Sequence, residues 1–123
     1  MDDSFGPWDL PTAHRVGTGW MVSGYLARLV VLESPRSDAP IRIFCGWPTD
    51  GVWERLLAQS DEMPSEETRQ ARVISGLVSH WNLDQPHDFE TVASLPAELR
   101  ESIYQAIMFD QRAVRGLLGR FRE

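Results

Sequence analysis

The side chains that could do chemistry in this sequence are grouped near its middle. His80 and Asp84 stand four residues apart and His87 follows, and imidazole and carboxylate groups of this kind bind zinc or iron. Asn82 and Pro86, however, interrupt any helix that would bring the three onto one face, and the usual spacings of zinc ligands are absent. The sequence therefore favours ordinary polar residues at a helix end, and we expect no metal and no other cofactor.

The single cysteine is the second candidate for chemistry. Cys45 ends an apolar strand pattern, where a buried thiol is common, and no base follows it at a recognisable spacing. Gly17–Gly19 is too short for a phosphate-binding loop, and the chain contains no lysine to serve one. We therefore predict a protein that is not an enzyme and has no catalytic residues. A small metal-dependent or cysteine enzyme that uses His80, His87 or Cys45 stays open as an alternative.

Composition limits the class of protein further. The 123 residues suit one domain, and the net charge of −6 argues against a nucleic-acid binder, which needs a basic surface. All 12 basic residues are arginines. The lone cysteine, the acidic start at Met1–Ser4 and the lack of a long apolar run favour a protein of a reducing cytosol, with no membrane segment and no signal peptide.

The element that must position the histidines is a helix predicted over residues 65–81, where apolar side chains recur at helical spacing. Ser65 is suited to cap its start and Asn82 to stop its end. A second long helix is predicted over residues 96–109 with Pro96 in its first turn, and the short connection predicts antiparallel packing of the two helices. We expect their apolar faces to form one core. Its predicted members are Ile74, Leu77, Val78, Trp81, Leu99, Ile103 and Ile107.

The whole chain divides into three parts of different character. Residues 1–20 contain many turn formers and scattered aromatic residues, which predict an irregular arm. Residues 21–47 predict a β-hairpin with strands at Tyr25–Leu32 and Ile41–Cys45. Residues 50–123 predict three or four helices. Together these parts define an α+β fold, with an N-terminal hairpin and a mainly helical C-terminal half.

One segment of the sequence resembles a known family. In Val78–Leu83 a predicted helix ends in Val-x-x-Trp-Asn-Leu, an acidic turn covers Asp84–Glu90, and Leu95–Leu99 starts a helix with Leu-Pro-x-x-Leu. In this order and spacing, over roughly residues 65–110, the chain resembles the tail assembly chaperones of long-tailed bacteriophages. The resemblance implies a small adaptor in the host cytoplasm that binds the tape-measure protein and helps tail-tube subunits to polymerise around it. A structural tail, baseplate or connector protein retained in the virion is the alternative.

An adaptor of this kind needs apolar and arginine side chains that its own core does not use, because such residues carry much of the binding energy at interfaces. The irregular arm and the C-terminal helix from about Gln111 onward both offer them. The predicted partner-binding residues are Phe5, Trp8, Trp20, Arg115, Leu117, Leu118 and Phe121. They would contact phage tail proteins or a second copy of the chain. The alternative, that both segments close the domain's own core, stays equally open.

Overall fold

The computed structural model describes residues 14–16, 19–22, 25–33, 40–46 and 48–122, without the side chains of residues 14–26, 114 and 116–122. Within these residues the fold is α+β, as predicted, with five strands and four helices. The strands are β1 (His14–Val16), β2 (Gly19–Val22), β3 (Tyr25–Leu32), β4 (Ile41–Gly46) and β5 (Val78–Trp81). The helices are α1 (Asp50–Asp61), α2 (Glu66–Leu77), α3 (Phe89–Ala93) and α4 (Ala97–Arg122).

The described strands form one antiparallel sheet in the order β1-β2-β3-β4-β5. The predicted hairpin is confirmed as β3 and β4, which pair from Ala27 opposite Gly46 to Leu32 opposite Ile41. The prediction of an irregular arm through residue 20 was wrong where β1 and β2 extend the sheet beyond β3. Strands of three and four residues are too short to show a clear alternation of apolar and polar side chains, so the turn residues dominated the pattern.

The helices cover one face of the sheet. Val30, Ile41, Ile43 and Cys45 point toward them and belong to the buried cluster that the helices complete. On the opposite face Phe44 is also fully buried, although it lies outside that cluster. Both faces of the central strands therefore hold buried apolar side chains.

Strand β5 is the main departure from the predicted helix pattern. Helix α2 ends at Leu77, and β5 follows at once and pairs with β4, so Trp81 lies in a strand and not in the last turn of a helix. Trp81 pairs with Ile43 and Val78 with Cys45, with an irregularity between them that leaves one extra residue in β5. This bulge lets two side chains three residues apart face the same core. The same spacing fits one face of a helix, which is why the sequence predicted one.

Side-chain caps begin the first two helices, and the predicted Ser65 cap is confirmed. The Thr49 hydroxyl accepts a hydrogen bond from the Val52 N–H at the start of α1. Ser65 caps α2 and exchanges hydrogen bonds with Thr68, so that each side chain binds the other's backbone N–H. Asn82 is no helix stop; its side chain accepts from the Arg42 N–H and donates to the Pro40 carbonyl, which fastens the end of β5 to β4.

The predicted common core is confirmed, because all seven of its proposed members lie in the buried cluster. The predicted antiparallel packing of the two long helices was wrong. Arg100, near the start of α4, donates to Gln70 near the start of α2. Further along, Gln111 donates to the Gly46 carbonyl, and Gly46 lies beside the carbonyl of Leu77 at the end of α2. The two helices therefore run in the same direction, because β5 and α3 return the chain before α4 begins.

No helix in the described part of the chain combines the length and the apolar character that crossing a bilayer requires.

Candidate protein-binding groove

The surface between α1 and α2 contains two adjoining depressions, which together we call the α1–α2 groove. The Val52 depression has a volume of about 270 Å³, and Val52, Leu56, Gly76 and Leu77 supply most of its apolar lining. Val52 stands one helical turn before the buried Leu56 in α1, yet 47% of its surface is exposed. Leu56 and Leu77 are buried members of the core, so Val52 provides the exposed apolar surface of this depression.

Gly76 allows a close approach between α1 and α2 beside the Val52 depression. A Cβ atom at this position would lie 2.8 Å from the Cδ1 atom of Leu56, closer than carbon atoms approach. The absence of a side chain therefore lets Leu56 of α1 pack against the backbone of α2. An isolated glycine in a helical pattern is a sequence signal for such a close approach.

The second part of the groove, the Phe89 depression, has a volume of about 460 Å³ and lies between the end of α1, α2 and the start of α3. Met63 and Phe89 line it together with Glu62. Gln59 and Arg72 line both depressions. A hydrogen bond of 2.6 Å from the Arg72 Nη2 atom to the Gln59 Oε1 atom crosses between the helices at this point and divides the groove.

The charge of the groove differs from that of the whole protein. The described lining of the Val52 depression includes Arg55 and Arg72 and no acidic residue, whereas the chain has a net charge of −6. The exposed Arg55 makes no hydrogen bond or ion pair with any described residue, and among those residues the Arg72 guanidinium donates only to the neutral Gln59. The Val52 depression is therefore a locally basic, partly apolar surface on an acidic protein, whereas the Phe89 depression also contains Glu62.

Arg115 is the predicted partner-binding residue whose side chain is described, and its contacts are intramolecular. Its guanidinium forms an ion pair with Asp50 at the start of α1 and donates to the Pro48 carbonyl and the Gln111 side chain. It also lies 5.0 Å from the ring centroid of Trp53, within the range of a cation–π interaction. Arg115 joins α4 to α1, which favours the alternative that this part of α4 stabilises the domain itself.

The other predicted partner-binding residues stay predictions. Phe5 and Trp8 lie outside the described residues. The backbone of Trp20 lies in β2, and those of Leu117, Leu118 and Phe121 lie in α4, but their side chains are not described. Phe109 precedes these α4 residues and exposes 76% of its surface.

Cys45 has the environment of a core residue. Its side chain is fully buried, and burial raises the pKa of the thiol to about 12, from an ordinary value near 9. The nearby Asp110 raises the pKa further, and Arg28 lowers it by a smaller amount. A thiolate is the nucleophilic form of cysteine, and this site disfavours it at neutral pH. The structure therefore gives no support to the alternative of a cysteine enzyme.

His80 and His87 do not lie on one helix face. His80 lies in β5 opposite Phe44, on the sheet face away from the helices. Burial, and then the proximity of His87, lowers the pKa of His80, so the neutral imidazole is favoured. His87 packs edge-on against the Trp81 ring at 5.7 Å. Among the described residues, no three His, Cys, Asp or Glu side chains come together as a metal site would require.

Comparisons of the chain with protein-family models, with curated proteins and with solved structures found no match.

Proposed function

We propose that this protein is a non-enzymatic assembly chaperone of a phage tail, which binds the tape-measure and tail-tube proteins during tail morphogenesis. The observation that carries the proposal is the arrangement around Trp81, in the segment that resembles the chaperone family. The Trp81 indole N–H donates to the Gln85 carbonyl at 2.7 Å, so the side chain fixes the acidic turn against the core. A motif whose residues make defined contacts supports a relationship better than sequence similarity alone.

The rest of the motif has structural tasks of the same kind. Asp88 ends the acidic turn and caps α3 by accepting from the Thr91 N–H. A hydrogen bond with the Thr91 side chain is the main cause that lowers the pKa of Asp88, and the bond from the Thr91 N–H lowers it further. Leu95 and Leu99, from the Leu-Pro-x-x-Leu stretch, are buried in the same cluster as Trp81. The motif therefore acts as a unit that connects β5 to α3 and α4.

The α1–α2 groove supports a role in binding another protein. It offers apolar surface beside arginines that pair with no carboxylate in the described part of the chain, a combination common at protein interfaces. An adaptor works in the host cytoplasm through such a surface, without a metal, a cofactor or a catalytic residue.

Co-expression with tail proteins of the same phage tests the proposal. We expect the purified protein to form a complex with the tape-measure protein or with tail-tube subunits, detected by size-exclusion chromatography with light scattering. The same chain should be missing from purified phage particles. A chain found in the particles would identify a structural tail protein instead, and a chain that binds neither class of tail protein would refute the proposal.

A further inference from the structure

The α1–α2 groove has the dimensions of a short helical segment. The distance along α1 from Val52 to Gln59 is seven residues, which corresponds to two helical turns or about 10 Å. Apolar floor residues and flanking polar side chains along such a length form the kind of groove that receives the apolar face of an amphipathic helix. The groove therefore suits a ligand with a stripe of apolar side chains.

The arginines of the groove favour a ligand with acidic side chains beside its apolar stripe. Arg55 and Arg72 stand beside the apolar floor of the Val52 depression, and neither is neutralised by a described carboxylate. Arginine recognises carboxylates through paired hydrogen bonds. A segment with acidic residues next to its apolar stripe therefore complements this part of the groove in both charge and polarity.

Among the described residues that line the groove, Arg72 and Gln59 form a hydrogen bond between the two depressions, which a ligand would replace. Because it joins a cation to a neutral amide, a carboxylate is a stronger partner for the guanidinium. If a ligand carboxylate replaced Gln59 as the hydrogen-bond partner of Arg72, the link between the two helices would break. The ligand could then contact Met63 and Phe89 in the second depression.

We propose that the α1–α2 groove binds an acidic amphipathic helix of a partner protein, with its apolar side chains over Val52 and its carboxylates on Arg55 and Arg72. The proposal rests on the adaptor function and names the surface and the chemistry of its partner.

Two labelled synthetic helical peptides with the same stripe of leucines test the groove directly. One peptide carries glutamates beside the stripe and the other carries arginines, and binding to the full chain is measured by fluorescence anisotropy. We expect the acidic peptide to bind and the basic peptide not to bind. Absence of binding by the acidic peptide up to about 1 mM, or equal binding of the two peptides, would overturn the proposal.

A matched pair of charge reversals locates the site. Arg55→Glu should weaken binding of the acidic peptide at least about tenfold, because it replaces a favourable charge pair with a repulsive one. Arg69→Glu makes the same charge change at an exposed arginine of α2 that lines neither depression, and it should leave the affinity nearly unchanged. Equal effects of the two variants would mean that only the overall charge matters and would refute a defined site.

Val52→Glu tests the apolar floor and the possible competitors. It should abolish peptide binding without unfolding the protein, since Val52 is largely exposed. A dimer of the peptide-free protein that Val52→Glu dissociates would assign the groove to a second copy of the chain. Salt-sensitive binding of a DNA oligonucleotide that Arg55→Glu removes would assign it to nucleic acid. Either result would overturn the proposal of an acidic peptide ligand.

The failure of this proposal can be distinguished from failure of the proposed function. If a tail-protein complex forms and both Arg55→Glu and Val52→Glu retain it, the groove is not its binding site, although the adaptor function stands. If the acidic peptide binds but no tail protein does, the groove proposal stands and the phage-tail function fails.

Discussion

The arginines of this protein occur in two contrasting surroundings. Arg100 is only 5% exposed, and it donates to the Gln70 side chain and to the backbone carbonyls of Ala93 and Leu95. Gln70 in turn donates to the Glu66 carboxylate, so a chain of hydrogen bonds joins α2, α3 and α4. In the α1–α2 groove, by contrast, Arg55 has no hydrogen-bonding or ionic partner among the described residues.

The difference separates a structural role from a binding role. A buried cation must have its donors satisfied, because an unpaired charge in the interior costs several kcal/mol. Arg100 meets that requirement within the chain and can stabilise the junction of three helices. Arg55 stays hydrated at the surface, so its charge is available to a partner. The following substitutions test whether the interior and the groove differ in this way.

The largest effect is expected at Trp81, which is buried in the core and fixes the acidic turn. Trp81→Ala should lower the free energy of unfolding by about 3–5 kcal/mol, because it removes a large aromatic side chain from a packed site. Val52→Ala, on the groove side of α1, should change it by about 0.5 kcal/mol or less. Urea unfolding followed by circular dichroism measures both. Similar losses for the two variants would erase the distinction between core and groove.

A smaller but still large effect is expected at the buried hydrogen-bonded junction. Arg100→Met keeps most of the side-chain volume but leaves the Gln70 Oε1 atom and two backbone carbonyls without their donor. We expect a loss of about 2–3 kcal/mol in the free energy of unfolding. Arg72→Met is the matched control, since it removes one exposed hydrogen bond to Gln59 and should cost about 0.5 kcal/mol or less. A stable Arg100→Met variant would show that the junction does not hold the helices together.

At neutral pH the smallest effect is expected from the ionisation of Cys45, which changes stability only in alkali. Burial raises the thiol pKa to about 12 in the folded protein, from near 9, so the unfolded chain releases its proton first as the pH rises. The contribution of the protonated thiol to the free energy of unfolding is fully present below pH 9 and is lost progressively between pH 9 and pH 12.

Comparison with Cys45→Ala isolates this contribution from other groups that titrate in alkali. The wild-type protein should lose more stability than the variant over that pH range. At pH 8 the folded thiol should also resist alkylation by iodoacetamide until denaturant is added. Rapid labelling of the native protein would contradict the buried, protonated state.

The sequence predicted the parts of the fold that local patterns determine. The Ser65 cap and the β3–β4 hairpin have strong local signals, and the seven core residues are apolar at regular spacing. Strand β5 was missed because its bulge gives Val78 and Trp81 the spacing of a helix. The direction of α4 relative to α2 could not be predicted, because it depends on the pairing of β5 with β4, a contact distant in sequence.

The groove was harder to predict than the fold. Val52 fits the apolar face of α1 by spacing alone, and only the tertiary arrangement shows that the core does not reach it. Conversely, Arg115 was predicted to bind a partner, yet its side chain contacts Asp50 and Trp53 of the same chain. Gly76 was the one local signal of a close approach between helices. Whether a side chain is used internally depends on partners far away in sequence, such as those of Arg115.

The most direct test of the binding role of the groove is the amount of tail protein that co-purifies with two charge-reversal variants. We expect Arg55→Glu to lose the complex with the tape-measure or tail-tube protein, while Arg69→Glu retains it and both variants keep the wild-type melting temperature. Undiminished co-purification with Arg55→Glu would contradict the assignment of the α1–α2 groove as the surface that binds the partner.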